Sequence, residues 1–218
     1  MIRTLSVVLV IGWTASLLWA ADKDAAKDSA AVEAAVQKGL KEYKDGKVQD
    51  AITSLQEAIQ LIQKSTSKGL GSYFPKPPAG WEAGEIESNS IAGGGKDGLT
   101  LTQVTRTYRK GDDLSVTITL CTSPQMVEGQ KAMLDAFKNP AMQASLLGEG
   151  IKLFDKDGWS GWTKAPKDSD AALTAFCKGC LLTITVNKAD EKILQQFIGL
   201  MDFKAMAEGA TSSSKPAK

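Results

Sequence analysis

The chain has 218 residues, enough for one main domain of ordinary size and a small appendage, with 26 Lys and Arg set against 25 Asp and Glu. That balance, with arginine only at positions 3, 106 and 109, excludes nucleic acid or an acidic membrane surface as the main partner, because both require a concentrated basic patch. Histidine is absent, which removes Ser-His-Asp and Cys-His nucleophilic catalysis, histidine zinc sites and c-type haem attachment.

Arg3 precedes a near-continuous apolar run from Leu5 to Trp19, which closes on Ala20 and Ala21 before Asp22. The run is short for a membrane span and ends at small residues, so residues 1–20 are expected to be a signal peptide cleaved after about Ala20. An uncleaved anchor is the alternative, since Leu18 stands where a small residue is usual. Cleavage removes Arg3 alone among the charges and leaves 25 basic against 25 acidic residues. The expected location is periplasmic or secreted, without stable membrane insertion once the leader is gone.

Residues 24–65 are good helix formers without proline, interrupted once at Lys44, Asp45, Gly46 and Lys47. The pattern predicts two helices joined by a tight turn. Val32, Val36, Leu40 and Tyr43 form an apolar stripe on the first helix, and Val48, Ile52, Leu55, Ile59 and Ile62 form one on the second. Gly39 as a small residue of the first helix, Asp45 and Gly46 in the turn, and Ala51, Leu55 and Ala58 as small-large-small positions of the second carry a resemblance. Over residues 30–63 the hairpin resembles a single tetratricopeptide repeat, with Lys38 where that family has leucine. Such a unit cannot bury both of its faces alone, so it docks on the main domain, associates with itself or holds a partner. The resemblance implies Gly39, Tyr43, Ala51, Leu55 and Ala58 as the partner-binding candidates.

Residues 66–80 are rich in glycine and proline and read as a linker leading to Trp81, an aromatic expected to anchor the chain on a core. Residues 81–207 are expected to form the sheet domain and 208–218 a disordered tail. Leu114, Val116, Ile118 and Leu120 alternate with polar residues, the period-two pattern of a strand with one buried face. Residues 99–109 supply its partner across a turn at 110–113. The apolar parity shifts there between Leu101 and Val104, which predicts a bulge near Gln103. Residues 124–139 return to helical spacing, with Met126, Ala132, Met133, Ala136 and Phe137 as the expected core face. Strands resume at 151–154, 159–164 and from Ala171. Residues 187–190 cap a last helix whose apolar face is Ile193, Leu194, Phe197, Ile198 and Met201.

One constellation invites chemistry. Cys177, Lys178, Gly179 and Cys180 form a Cys-x-x-Cys, but the flanks have strand character instead of opening a helix that would stabilise a thiolate. With Lys178 and Gly179 as a two-residue hairpin turn, Cys177 faces Cys180, Ala175 faces Leu182, Leu173 faces Ile184 and Ala171 faces Val186. All eight then share one face. Cys177 and Cys180 are accordingly small core residues or a local disulfide; the alternatives are a redox pair, or a soft-metal (Cu or Zn) site with Cys121 as third thiolate. The only clustered carboxylates, Asp112, Asp113, Asp155 and Asp157, sit in turn-forming contexts, which leaves a carboxylate hydrolase without a motif.

The expected fold class is α+β: an antiparallel sheet with packed helices, preceded by an N-terminal helical hairpin. The Pro-Pro-Ala-Gly-Trp lead into strands, with helices at the middle and end, resembles the PsbP-type sandwich of exported accessory proteins. That resemblance implies a non-enzymatic binding role without cofactors, the partner being an envelope or periplasmic protein or a second copy in a homo-oligomer. The competing expectation is a thiol-redox or soft-metal protein using Cys177 and Cys180.

Overall fold

The computed structural model describes residues 15–92, 100–141, 150–165, 170–189 and 191–212. Most of the expected leader therefore lies outside the described residues. The chain divides into two compact units, Met1–Ser65 and Thr66–Lys218.

The first unit is a helical hairpin built from α1 (Ala15–Lys44) and most of α2 (Val48–Gly71). Gly46 closes α1 in the left-handed conformation (φ +79°), and the Lys47 amide donates to Glu42 O at 2.9 Å, so the last carbonyls of the helix are satisfied within a three-residue turn. Small side chains bring the two helices together. Ala35 and Gly39 on α1 are buried against Ala51, Ser54 and Ala58 on α2, and Ser54 Oγ donates to Glu42 Oε2 at 2.7 Å. A methyl group at Gly39 would lie 2.9 Å from Leu55 Cγ and 3.3 Å from Ala51 O, so a larger residue there would crowd Leu55.

The second unit is a seven-stranded, wholly antiparallel sheet in the order β1-β2-β3-β7-β6-β5-β4. The strands are β1 (Glu82–Ala92), β2 (Thr100–Lys110), β3 (Leu114–Thr122), β4 (Ile151–Lys156), β5 (Trp159–Lys164), β6 (Ala171–Cys177) and β7 (Cys180–Val186). Between β3 and β4 runs α3 (Pro124–Phe137), and α4 (Glu191–Leu200) and α5 (Phe203–Ser212) follow β7. The α+β class is therefore as expected. Helix α2 continues to Gly71, so residues 66–71 are helical and the connecting segment to Trp81 is shorter than glycine and proline content alone implied.

One sheet face carries the larger core. Val104, Val116, Ile118, Leu120, Leu173, Leu182 and Ile184, alternate residues of four neighbouring strands, have no more than 1% exposure beneath Leu194 and Phe197 of α4 and Phe203 of α5. Trp81 anchors the start of β1 there, edge-on to Phe197 at 5.0 Å between ring centroids. Polar groups on these aromatics are satisfied: Tyr108 OH donates to Pro75 O at 2.7 Å and Trp159 Nε1 to Phe203 O at 3.0 Å.

The opposite face is covered over part of its width by α3. Ser123 accepts from the Met126 amide at 3.4 Å as N-cap, and Pro124 takes the first turn. Val127 and Leu134 then pack with Phe137 against Cys121, Ile151, Trp162, Phe176 and Leu181. Elsewhere this face is a lattice of threonines, with Thr105 hydroxyl-bonded to Thr119 at 3.2 Å and Thr107 to Thr117 at 3.4 Å.

Four expectations are corrected. The β2–β3 register is continuous through Gln103, and the irregularity lies in β1 between Ala83 and Ile86. Leu101 and Val104 differ in parity because both sheet faces are apolar: Leu101 joins the cluster under α3, and Val104 the cluster under α4. The buried side of α3 is Val127, Leu134 and Phe137; Met126 and Met133 are exposed, so they are not core packing. Asn187 does not cap α4 but begins a short 3₁₀ turn, and its side-chain amide ties down the start of β3, accepting from Ser115 N at 2.6 Å and donating to Asp113 O at 2.9 Å; Asp190, the last residue of the expected cap, lies outside the described residues. Residues 208–212 complete α5 in place of starting a disordered tail; the remainder of that tail lies outside the described residues.

Candidate functional site

The Cys-x-x-Cys closes the β6–β7 hairpin as expected, with Cys177 opposite Cys180, Ala175 opposite Leu182, Leu173 opposite Ile184 and Ala171 opposite Val186. Lys178 (φ +46°) and Gly179 (φ +85°) are both left-handed, the signature of a type I′ turn. All three cysteines are free thiols. The pair that closes a two-residue turn exchanges backbone hydrogen bonds, which sets its Cβ atoms near the wide end of the about 4.5–5.5 Å range, whereas a disulfide requires about 3.8 Å.

Burial raises the pKa of Cys121, Cys177 and Cys180. Cys180 is pushed up to about 11, chiefly by desolvation and further by the neighbouring Cys177 and Cys121. Protonated thiols are poor nucleophiles and poor metal ligands. Cys121 belongs to the cluster under α3, whereas Cys177 and Cys180 belong to the opposite core, so the sheet itself separates the third thiol from the pair. Among the described residues no group of three His, Cys, Asp or Glu side chains is placed to hold a metal ion.

The clustered aspartates serve local structure. Asp113 pairs with Lys188 at 3.1 Å, Asp155 accepts from Ser160 Oγ at 3.3 Å, and Asp157 (φ +50°) forms the β4–β5 turn with Gly158 (φ +83°). A shallow open hollow beside these turns is lined by Asp157, Lys178, Lys204, Ala207 and Glu208, two cations balanced by two carboxylates with no nucleophile among them.

The hairpin is different. Leu40 and Tyr43 of α1 and Val48, Ile52, Leu55, Ile59 and Ile62 of α2 are 39 to 66% exposed. On α2 the apolar residues recur at alternating steps of four and three, a heptad seam. That seam lies about a quarter-turn round the helix from Ala51, Ser54 and Ala58, which face α1. Of the partner-binding candidates, Gly39, Ala51 and Ala58 are therefore buried within the helix–helix contact, while Tyr43 and Leu55 lie on the exposed face. The chain matches no protein-family model, no curated protein and no solved structure.

Leu40, Val48, Ile52, Ile59 and Ile62 complete the face and were absent from the candidates drawn from the sequence. Their signal was present in the spacing: small residues on one side of α2 mark the contact with α1, so the large ones beside them need another cover. The four charges of α2, Asp50, Glu57, Lys64 and Lys68, are all off the seam, whose outer edge is Gln49, Gln56 and Gln63.

Proposed function

We propose that this is an exported, non-catalytic accessory protein of the cell envelope that acts through protein–protein contacts on the apolar face of its tetratricopeptide-like hairpin. The observation that carries the reading is the face itself. Fully burying one Leu or Ile stabilises by about 1.5–3 kcal/mol, so seven half-exposed large side chains leave on the order of 5–10 kcal/mol unrealised. A contiguous apolar surface on a helical hairpin fits another helical surface laid along it. The leader-like segment at residues 1–20 supports export, and the protonated, core-facing thiols support a role without thiol chemistry.

The test is affinity capture from the native envelope with the unaltered chain and with Ile52→Lys/Ile59→Lys, which changes only exposed positions. The reading expects a specific partner on the first and its loss on the second. Equal capture by both would remove the hairpin face as the binding surface.

A further inference from the structure

We propose that the occupant of the hairpin face is a second copy of this chain, joined across a two-fold axis at the level of Gly39 and Leu55 into an antiparallel four-helix bundle. The inference rests on the binding role assigned to that face.

Three features of the hairpin point to a like copy. The α2 seam is symmetric about Leu55 to within one residue: reversed onto itself, it sets Val48 against Ile62 and Leu55 against its own copy, with Ile52 and Ile59 meeting one residue out of register. The outer edge, Gln49, Gln56 and Gln63, reverses onto itself about Gln56, one residue from Leu55, so uncharged glutamines and no like charges confront each other along α2. On α1, Glu33 and Lys44 flank the apolar residues on the side away from α2. Reversal about the same level brings Glu33 of one copy beside Lys44 of the other, opposite charges at both ends of the contact.

The levels agree independently of the pairing. The midpoint between Glu33 and Lys44 falls between Lys38 and Gly39, and Gly39 is the residue that packs directly on Leu55, the midpoint of the α2 seam. One axis therefore serves both helices to within a residue, about 1.5 Å of helix rise. Each α1 then runs along its copy and each α2 along its own, the seams interdigitating as knobs into holes.

The experiment measures the molar mass of the purified protein by light scattering and sedimentation, for the unaltered chain, Ile52→Lys/Ile59→Lys, Glu33→Lys, Lys44→Glu and the double reversal. Far-UV circular dichroism of each confirms that the helices remain. The expected result is a dimer for the unaltered chain and a monomer for the seam variant. Each single reversal weakens dimerisation roughly tenfold and the double reversal restores it. A single reversal without effect, or a dimer indifferent to the seam variant, overturns this arrangement. A chain that is monomeric at about 100 µM overturns the second copy. In that case loss of a captured envelope protein by the seam variant leaves the binding role standing, and unaltered capture removes both.

Discussion

Single positions decide how closely backbones approach. A methyl group on Gly161 would overlap the Thr174 carbonyl oxygen and lie 2.7 Å from Ala175 Cα, both backbone atoms of β6 that cannot swing aside. Gly161→Ala should therefore cost about 3 kcal/mol or more in a urea unfolding titration. Gly39 is a milder case, because what it meets first is the exposed side chain of Leu55. Gly39→Ala should be close to neutral, helix propensity offsetting the crowding, while Gly39→Val should lose about 1–3 kcal/mol.

Cys180 gives a pH signature at the same scale. A thiol with an ordinary pKa of 9.0 in the unfolded chain and about 11 in the fold adds stability that is complete below pH 9 and lost as pH rises toward 11. The melting temperature should fall across that interval, and Cys180→Ala should make the fall shallower. Identical slopes for the two proteins would show that the thiol is not held protonated by its surroundings.

Among the elements, legibility followed how many alternatives the chain left open. The β6–β7 hairpin was readable to the register because strict alternation on both strands and a two-residue turn admit one pairing. The face of α3 was not. Met126 and Met133, seven residues apart, compete with Val127 and Leu134 at the same spacing one step on, and only packing against Phe176 and Trp162 selects between them. The shift between Leu101 and Val104 read as a bulge because a one-faced sheet was assumed, whereas helices cover both sides. Helix α5 gave little warning, since Phe203 and Met206 are the only buried residues among those of its side chains that are described.

The packing of α4 makes its own prediction. Phe197 is fully buried and stacks edge-on against both Trp81 at 5.0 Å and Tyr108 at 5.1 Å. Phe197→Ala should lower unfolding stability by about 3–5 kcal/mol, with Trp81 fluorescence moving toward that of an exposed indole. An unchanged midpoint would show that this ring does not hold the helix on the sheet.

At the scale of the whole molecule, the two units differ in how their apolar residues are arranged. The sheet unit buries two hydrophobic clusters beneath its helices, its buried polar side chains among the described residues have partners, and its thiols are protonated, while Ile86, Ile91, Met126, Met133, Leu153 and Leu200 stay exposed on it. The hairpin instead leaves a heptad seam in water. That contrast was half legible. The spacing of Val48, Ile52, Leu55, Ile59 and Ile62 is plain in the chain, but whether the seam faces α1 depends on Gly39, Ala51 and Ala58 taking that contact, which required coordinates.

The most direct measurement places a photoreactive side chain singly at positions 52, 59, 50 and 57 of the full chain and irradiates it in its native envelope. The binding role predicts specific protein adducts from 52 and 59, on the seam, and few from 50 and 57, on the charged side of the same helix. Equal adducts from both sides, or none from the seam, would contradict it.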